Sequence, residues 1–329
     1  MPVNLKGRSL LTLLDFTPQE IRYLLDLSHN LKDKKRAGIY DYRLRGKNIV
    51  LLFEKTSTRT RCAFEVACLD EGAHVTFLDS NSSQMGKKES LADTAKVLGR
   101  YYDGIEYRGY RQQVVEDLAT YAGVPVWNGL TDVDHPTQVL ADLMTLEENV
   151  SKPLHQCKLI FCGDIRNNVA CALMYGCAKM GMHYVGYGPR ELKIADTVMT
   201  NTLAVARETG ATIEITDNPA CLKNADALYT DIWASMGEEE QTPERVRILT
   251  PFKVTKELMA KTENPDCIFL HCLPSFHDFD TANATKWQEK GLDIREVTDD
   301  VFLSANSKVF DEAENRMHTI KAVIIATIV

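Results

Sequence analysis

The chain has 329 residues, more than one hydrophobic core usually organises, so we expect two domains of about 150 residues each. Hydrophobic residues make up 44% and charged residues 26%, a composition that is typical of globular proteins and excludes a disordered chain. With 38 basic and 46 acidic residues the net charge is -8, which gives no reason to expect a nucleic acid or an anionic membrane as a partner.

The nine cysteines are odd in number and lie mostly in apolar runs, as expected for free thiols in a reducing compartment. No two form a Cys-x-x-Cys pair, so we expect neither disulfides nor structural zinc. Residues 1–10 lack the features of a secretory signal or an organelle leader, and the longest apolar stretch, residues 322–329, is too short to span a bilayer. We therefore predict a cytoplasmic protein.

Short β-branched runs alternate with helical-period segments along the whole chain. The first half predicts a helix over residues 18–35 and then buried strands at residues 48–53, 74–78, 104–107 and 124–127. Each strand is followed by a helical segment, the last over residues 136–149, so we expect a parallel sheet. A polar stretch at residues 151–153 contains Pro153, and the first domain is expected to end there.

The alternation starts again in the second half. Strands are predicted at residues 158–162, 183–187, 212–216, 227–232 and 267–271, separated by helices such as 168–180 and 194–208. A final helix over residues 310–326 has an apolar stripe of Phe310, Ala313, Met317, Ile320 and Ile324. The predicted fold class is α/β, with two open, doubly wound parallel sheets. Ligands of such sheets bind beyond the carboxyl ends of the strands, so the loops there are expected to carry the chemistry.

The loop after the first strand is rich in groups that bind anions. Residues 57–61 hold three hydroxyl side chains and two arginines, and a helical pattern follows directly. Free N–H groups at a helix start, hydroxyl groups and guanidinium groups all bind phosphate oxygens. Taken singly, such residues are usually helix caps or surface residues. Together they predict a site for a phosphate-sized anion, although the glycines of a Walker loop are absent.

Polar residues also follow the third and fourth strands. Arg108 comes directly after the third, and a loop after the fourth leads through His135 to a helix that begins at Pro136. His135 can donate a hydrogen bond to a carbonyl oxygen and Gln138 can recognise an amide, although each alone is weak evidence of a site. Both regions point to the same edge of the sheet as the anion-binding loop.

The second half holds three polar loops of the same kind. Residues 163–168 open a helix where a dinucleotide fold needs its glycine fingerprint, but only Gly163 is present, and asparagine amides suit an amino-acid carboxylate better. Asp231 precedes a glycine-bearing loop that could fold over a ligand, or that is a solvated connector. Cys272 follows the last strand, where a thiol is a nucleophile, a hydrogen-bonding group or, most commonly, a buried residue.

Taken together, these stretches resemble the transcarbamylase family. Residues 57–61 (Ser-Thr-Arg-Thr-Arg), 135–138 (His-Pro-Thr-Gln) and 271–274 (His-Cys-Leu-Pro) are similar to its three signatures in order and spacing. Asp231 with residues 235–237 resembles the loop of the ornithine branch, and residues 310–318 resemble the closing helix. The resemblance implies transfer of the carbamoyl group of carbamoyl phosphate to the side-chain amine of L-ornithine, giving L-citrulline and phosphate, with no metal or organic cofactor.

The resemblance also implies a set of site residues. Those expected to bind carbamoyl phosphate are Ser57, Thr58, Arg59, Thr60, Gln84, Arg108, His135, Gln138, Cys272, Leu273 and Arg316. Those expected to bind L-ornithine are Asn168, Asp231, Ser235 and Met236. Arg108 and His135, with Thr58, would polarise the carbamoyl oxygen. Either Cys272, coupled to Asp231, favours the reactive amine, or the leaving phosphate takes the proton.

The family is trimeric, which implies a homotrimer with shared active sites and with Gln84 lent by the neighbouring chain. The loop around it, residues 79–90, departs from the family pattern, and Lys87 stands where a histidine is expected. Residues 1–150, with a terminal helix (residues 308–329) packed back on them, are expected to bind carbamoyl phosphate. Residues 151–307 are expected to bind ornithine.

Three other functions stay open. Putrescine carbamoyltransferase is the nearest, but a diamine would leave Asp231 and its loop without α-amino and α-carboxylate partners. A nicotinamide-dependent dehydrogenase on a similar scaffold would need the absent glycine fingerprint, and a periplasmic amino-acid-binding protein would need a signal peptide. The sequence does not decide whether the reversible reaction makes citrulline or, in the arginine deiminase pathway, harvests carbamoyl phosphate from it.

Overall fold

The computed structural model describes residues 3–79, 88–234 and 239–329. The chain divides into two compact units, one of Met1–Met144 with Glu314–Val329 and the other of Thr145–Ala313. Each unit contains one parallel sheet connected through helices. This confirms the predicted α/β fold class with two parallel sheets.

The first unit holds a four-stranded sheet in the order β2-β1-β3-β4. Its strands are β1 (Asn48–Phe53), β2 (His74–Asp79), β3 (Gly104–Arg108) and β4 (Val126–Leu130). The helices of this part of the chain are α1 (Pro18–Arg36), α2 (Thr58–Asp70), α3 (Leu91–Tyr101), α4 (Gln112–Ala122) and α5 (Pro136–Asn149). Because all strands are parallel, their carboxyl ends lie at one edge of the sheet.

The second unit holds a five-stranded sheet in the order β7-β6-β5-β8-β9. Its strands are β5 (Lys158–Cys162), β6 (His183–Tyr187), β7 (Thr212–Thr216), β8 (Ala227–Thr230) and β9 (Ile268–His271). The helices are α6 (Asn168–Lys179), α7 (Asp196–Thr209), α8 (Thr242–Leu249), α9 (Lys256–Ala260), α10 (Ala282–Gln288), α11 (Asp299–Phe302) and α12 (Val309–Ile328). The last helix begins in the second unit and ends in the first.

One predicted strand is displaced along the chain. The strand expected at residues 124–127 lies at Val126–Leu130, because Pro125 has no N–H group for the sheet and the pairing starts after it. It continues through Gly129, where the register shifts against β3. A Cβ atom at residue 129 would collide with Glu106 Oε1, so any other residue here would displace the side chain of Glu106.

The apolar stripe predicted for the terminal helix is wrong in its first half. Phe310 is 67% exposed, whereas Glu312 and Asn315 are buried. The buried polar groups have partners: Tyr229 Oη donates to Glu312 Oε1 at 3.0 Å, and Lys32 Nζ donates to Asn315 Oδ1 at 2.6 Å. A periodicity argument finds apolar faces, and it cannot find a face on which polar groups are buried in pairs.

In the part of the chain that the structure describes, we find no helix with both the length and the apolar character that crossing a membrane requires.

Candidate active site

The start of α2 lies at the carboxyl end of β1. Ser57 caps this helix, and its Oγ accepts a hydrogen bond from Thr60 N at 3.2 Å. Thr58 is the first residue of the helix and is exposed, and Arg59 follows with a partly exposed side chain. The positive end of the helix dipole and the neighbouring hydroxyl groups therefore lie together, as an anion site requires.

Thr60 joins two arginines from distant parts of the chain. Its Oγ1 accepts one hydrogen bond from Arg108 Nη1 at 3.1 Å and another from Arg316 Nη2 at 2.8 Å. Arg108 ends β3, directly beside Phe53 at the end of β1. All three polar side chains are buried, with Thr60 at 0%, Arg316 at 3% and Arg108 at 9% exposure. A concentrated positive charge is thus held at the edge of the first sheet.

His135 lies in the electric field of this positive charge. Burial lowers the pKa of His135 well below its ordinary value, and the charges of four neighbours lower it further, namely Arg316, Arg108, Arg59 and Lys55. The ring is therefore neutral at neutral pH and carries one N–H group. Lys55, whose Nζ lies 3.3 Å from Asp132 Oδ1, was not among the residues predicted from the sequence. Its position two residues after a buried strand was the available signal.

Gln138 lies in the first turn of α5, three residues after His135. Its backbone N donates to His135 O at 3.0 Å, and its Nε2 donates to Asp142 Oδ1 at 2.8 Å. Both Gln138 and Asp142 are completely buried. The carboxylate of Asp142 therefore fixes the orientation of the Gln138 amide.

Asp231 is the centre of a second group of polar side chains, in the second unit. Its Oδ1 accepts hydrogen bonds from Cys272 Sγ at 3.2 Å and from Ile232 N at 2.8 Å. Asn167 Nδ2 donates to Oδ2 at 2.9 Å. Asp231 and Cys272 follow β8 and β9, which are neighbours in the sheet, and this topology brings the carboxylate and the thiol together.

The asparagine that contacts Asp231 is Asn167, which the sequence analysis did not select. Asn167 caps α6, and its Oδ1 accepts a hydrogen bond from Val169 N at 2.7 Å. The predicted Asn168 lies next to it, with its Oδ1 at 2.9 Å from the same backbone N. Two adjacent asparagines gave no signal of which amide turns towards the aspartate.

The segment after β9 is held by a buried histidine and glutamate. Leu273, which has a φ of 57°, donates from its backbone N to His271 Nδ1 at 2.9 Å. His271 Nε2 lies 3.1 Å from Glu296 Oε1. Burial, the largest influence, lowers the pKa of His271, but the hydrogen bond and charge of Glu296, followed by the charges of Asp231 and Glu312, outweigh it and raise the pKa. Leu273 is thus fixed in place next to Cys272.

Within the described ranges, two groups of side chains have the spacing of metal ligands: Asp231 with His271 and Cys272, and His277 with Asp278 and Asp299. In the first group the thiol already donates to Asp231, and His271 Nδ1 already accepts from a backbone N–H. The atoms of this group that could bind a metal therefore already make hydrogen bonds within the protein. In the second group His277 Nδ1 lies 2.7 Å from Asp299 Oδ1.

Three predicted site residues, Gln84, Ser235 and Met236, lie outside the described residues. Of the others, the structure brings Ser57, Thr60, Arg108 and Arg316 into one hydrogen-bonded group, with His135 in its field. It brings Asp231 and Cys272 into a second group. This fold and these groups define an α/β protein with two buried arginines joined through Thr60 at the carboxyl edge of a parallel sheet.

Comparison with known proteins gives the family. Residues 8–148 match the family model of the aspartate/ornithine carbamoyltransferase carbamoyl-P binding domain, and residues 155–327 match that of the Asp/Orn binding domain. The chain therefore belongs to the aspartate/ornithine carbamoyltransferase family. This membership confirms the family and the enzyme class, a carbamoyltransferase, predicted from the sequence.

Individual relatives are similar over the full length. The catabolic ornithine carbamoyltransferase of Clostridium perfringens is 65% identical over 330 residues, which cover 99% of both chains. That of Treponema denticola is 58% identical over 327 residues, covering 98% of this chain and 96% of the relative. Among solved structures, ornithine carbamoyltransferase from Pyrococcus furiosus is 40% identical with a TM-score of 0.91 and 99% of each chain covered.

Proposed function

We propose that this protein transfers the carbamoyl group of carbamoyl phosphate to the side-chain amine of L-ornithine, giving L-citrulline and phosphate. The observation that carries the proposal is the buried hydrogen-bonded group of Thr60, Arg108 and Arg316 beside the start of α2. The relatives from Clostridium perfringens and Treponema denticola, both named catabolic ornithine carbamoyltransferases, support ornithine as the acceptor and a catabolic role in arginine metabolism.

The phosphate end of the donor binds the loop and first turn of α2. Ser57, Thr58, Arg59 and Thr60 supply hydroxyl, N–H and guanidinium donors to the phosphate oxygens. Arg108 and Arg316 add the positive charge that a phosphate dianion needs. Holding these two buried cations close together costs free energy through their mutual repulsion, and the bound dianion offsets that cost.

The carbamoyl end of the donor binds next to the phosphate. His135, held neutral, donates its N–H to the carbamoyl oxygen together with Arg108 and Thr58, so these donors stabilise the oxyanion that forms when the amine attacks. Gln138, which Asp142 holds in one orientation, recognises the carbamoyl amide. The sequence resemblance adds Leu273 to the residues that bind carbamoyl phosphate.

The ornithine backbone binds the second polar group. The carboxylate of Asp231 supplies the counter-charge for the α-amino group, and the amides of Asn168 and its neighbour Asn167 bind the α-carboxylate. Ser235 and Met236 lie outside the described residues, and we include them among the ornithine-binding residues because of the sequence resemblance. An acceptor without α-amino and α-carboxylate groups would leave these polar side chains without ligands.

The attacking amine must lose a proton, because alkyl ammonium groups titrate near pH 10.4. Attack forms the carbon–nitrogen bond, and the bond between the carbamoyl carbon and the phosphate oxygen breaks. The thiol proton of Cys272 points to Asp231 Oδ1, so the sulfur offers the amine only lone pairs, which accept hydrogen bonds weakly. We therefore assign Cys272 to orienting the neutral amine, whose ammonium proton has been lost to solvent before the attack. The second proton leaves the nitrogen when the carbon–nitrogen bond forms, and the leaving phosphate takes it up.

The assignment of substrates follows the two matched domains. Residues 1–150, with residues 308–329, bind carbamoyl phosphate, and residues 151–307 bind ornithine. The descriptions of the two matching family models support this division for residues 8–148 and 155–307. The grouping of Glu314–Val329 with Met1–Met144 supports the assignment of the terminal helix to the first domain. We further propose a homotrimer in which Gln84 of the neighbouring chain completes each carbamoyl-phosphate site. Light scattering of the purified protein tests the trimer. The cytoplasmic location stays a prediction.

A product assay with two acceptors tests the proposed function. Carbamoyl phosphate is mixed with the enzyme and either L-ornithine or putrescine, and both released phosphate and the carbamoylated product are measured. We expect citrulline and phosphate in equal amounts with ornithine. The rate with putrescine should be lower by about 100-fold or more, because putrescine has no α-amino and α-carboxylate groups for Asp231 and the asparagines to bind. Faster turnover with putrescine, or no product with ornithine, contradicts the proposal.

A further inference from the structure

The central strand β3 buries a carboxyl group beside the arginines of the phosphate site. Glu106 is 0% exposed. Because side chains alternate along a strand, Glu106 and Arg108 lie on the same face of the sheet. The neighbouring strand makes room for the carboxyl group with Gly129, where a Cβ atom would collide with Glu106 Oε1. Gly129 thus leaves space for this carboxyl group in the core of the first unit.

No hydrogen-bond partner for either carboxyl oxygen of Glu106 exists in the part of the chain that the structure describes. The charged groups that act on it are the guanidinium groups of Arg108 on β3 and Arg316 on α12. The thiol of Cys68 on α2 is a further titratable group within reach of its charge: burial, and then the charges of Glu106 and Glu65, raise the pKa of Cys68 to about 12. The two arginines are therefore the groups that favour an ionised Glu106.

Two opposed effects act on the protonation of Glu106, and burial is the larger of them. Burial raises the pKa of its carboxyl group well above the ordinary value, and the charges of Arg108 and then Arg316 oppose this rise. These are the same two guanidinium groups that converge on Thr60 in the proposed phosphate site. A ligand that neutralises them weakens the attraction that favours the charged form of Glu106, and hydrogen bonds from described residues do not support that form.

We propose that Glu106 takes up one proton from solvent when the phosphate group of a substrate or product binds, and releases it when that group leaves. The inference rests on the proposed function, since it needs a phosphate at Arg108 and Arg316. The step forms one O–H bond on the carboxyl group, and no other bond changes. Glu106 thus acts through the two arginines and does not touch the substrate.

The coupling has a defined sign. Between the higher pKa that Glu106 has in the phosphate-bound protein and the lower pKa that it has in the unliganded protein, phosphate binding includes proton uptake, and the affinity falls by up to about tenfold for each unit of rising pH. Below that pKa the group is already neutral and adds no pH dependence. The enzyme therefore holds phosphate-bearing ligands more tightly as the pH falls through this range.

Calorimetry with inorganic phosphate measures the proton directly. Heats of binding are recorded in two buffers of different ionisation enthalpy at several values from about pH 6 to about pH 9, where phosphate itself titrates identically for every variant. The variants are wild type, Glu106→Gln and, as a matched control, Glu65→Gln, which removes a partly exposed carboxylate paired with Arg61 on α2. We expect wild type and E65Q to take up about one proton more than E106Q.

The results distinguish a failure of the Glu106 inference from a failure of the proposed function. Equal proton uptake in wild type and E106Q overturns the role of Glu106, whereas the absence of phosphate binding to wild type at every pH overturns the proposed function instead. Infrared difference spectra of wild type make the test independent of the folding of E106Q. Phosphate binding should produce the carbonyl band of a newly protonated carboxyl group, and a spectrum without that band contradicts the inference.

Discussion

The hydroxyl oxygen of Thr60 accepts a hydrogen bond at 2.8 Å from Nη2 of Arg316, a residue 256 positions further along the chain. Thr60 lies in the first turn of α2, and Arg316 lies in the closing helix α12. The terminal helix therefore places a positive charge next to the motif of residues 57–61. This hydrogen bond, with its counterpart from Arg108, underlies the first prediction.

Thr60→Val keeps the shape of the side chain and removes the oxygen that both arginines share. Hydrogen bonds to charged groups contribute about 1.5–3 kcal/mol, so we expect the KM for carbamoyl phosphate to rise by about 10- to 100-fold. The KM for ornithine should change little. Steady-state kinetics in both substrates measure this, with Thr120→Val on the exposed side of α4 as control. Equal losses for the two substrates would contradict the assignment.

Asp231→Asn removes a negative charge from the second group and keeps its size. Without the counter-charge for the α-amino group, we expect the KM for ornithine to rise by about 100-fold, in line with a lost hydrogen-bonded ion pair. The Kd for inorganic phosphate should stay as in wild type. The exposed Asp266→Asn is the matched control in the same unit. Weakened phosphate binding with an unchanged KM for ornithine would reverse the proposed roles.

Cys272→Ala tests which group takes the amine proton. If the leaving phosphate takes it, the variant loses only the contact that orients the amine, and kcat should fall by about tenfold, the value of one weak hydrogen bond. The shape of the kcat profile against pH should stay the same. If the thiol were the proton acceptor, kcat would fall by about 100-fold or more and a limb of the pH profile would disappear.

His318 makes the folded state sensitive to acid. It is 1% exposed, and burial lowers its pKa to about 4, an effect that the hydrogen bond to Glu314 opposes. The unfolded chain binds the proton near pH 6.5, so stability is present above that pH and is lost as the pH falls towards 4, by about 1.4 kcal/mol per unit. His318→Gln should flatten the fall in unfolding free energy between about pH 6.5 and pH 5, whereas His74→Gln at an exposed position should not. Urea denaturation at the two pH values measures the free energy of unfolding. An equal change in this free energy between the two pH values in wild type and both variants would contradict the prediction.

Much of the fold was predictable from local pattern. The bounds of β1, β5, β6 and β7 agree with those predicted, because short β-branched runs are bounded by turn residues. The start of α5 is also as predicted, since Pro136 favours the first position of a helix. The polar inner face of α12 was not predictable, because its burial depends on partners such as Lys32 that are hundreds of residues away.

The candidate site was predictable only where one residue type suits one chemistry. The arginines and hydroxyls after β1 indicated a site for an anion. Asp231 and Cys272 were predicted to act together, and in the structure they meet because they follow adjacent strands. Asn167 was missed because sequence does not say which of two adjacent amides turns inward. Glu106 was missed because a glutamate within a strand looks like a solvent-facing residue, and only the structure shows that its side chain is buried beside Arg108.

The most direct test of the account is a crystal structure of the protein with carbamoyl phosphate. We predict the phosphate oxygens at about 3 Å from donors of Ser57, Thr58, Arg59 and Thr60, with the Arg108 guanidinium group against the same ligand. A structure in which the ligand binds elsewhere while this turn stays empty would contradict the central claim.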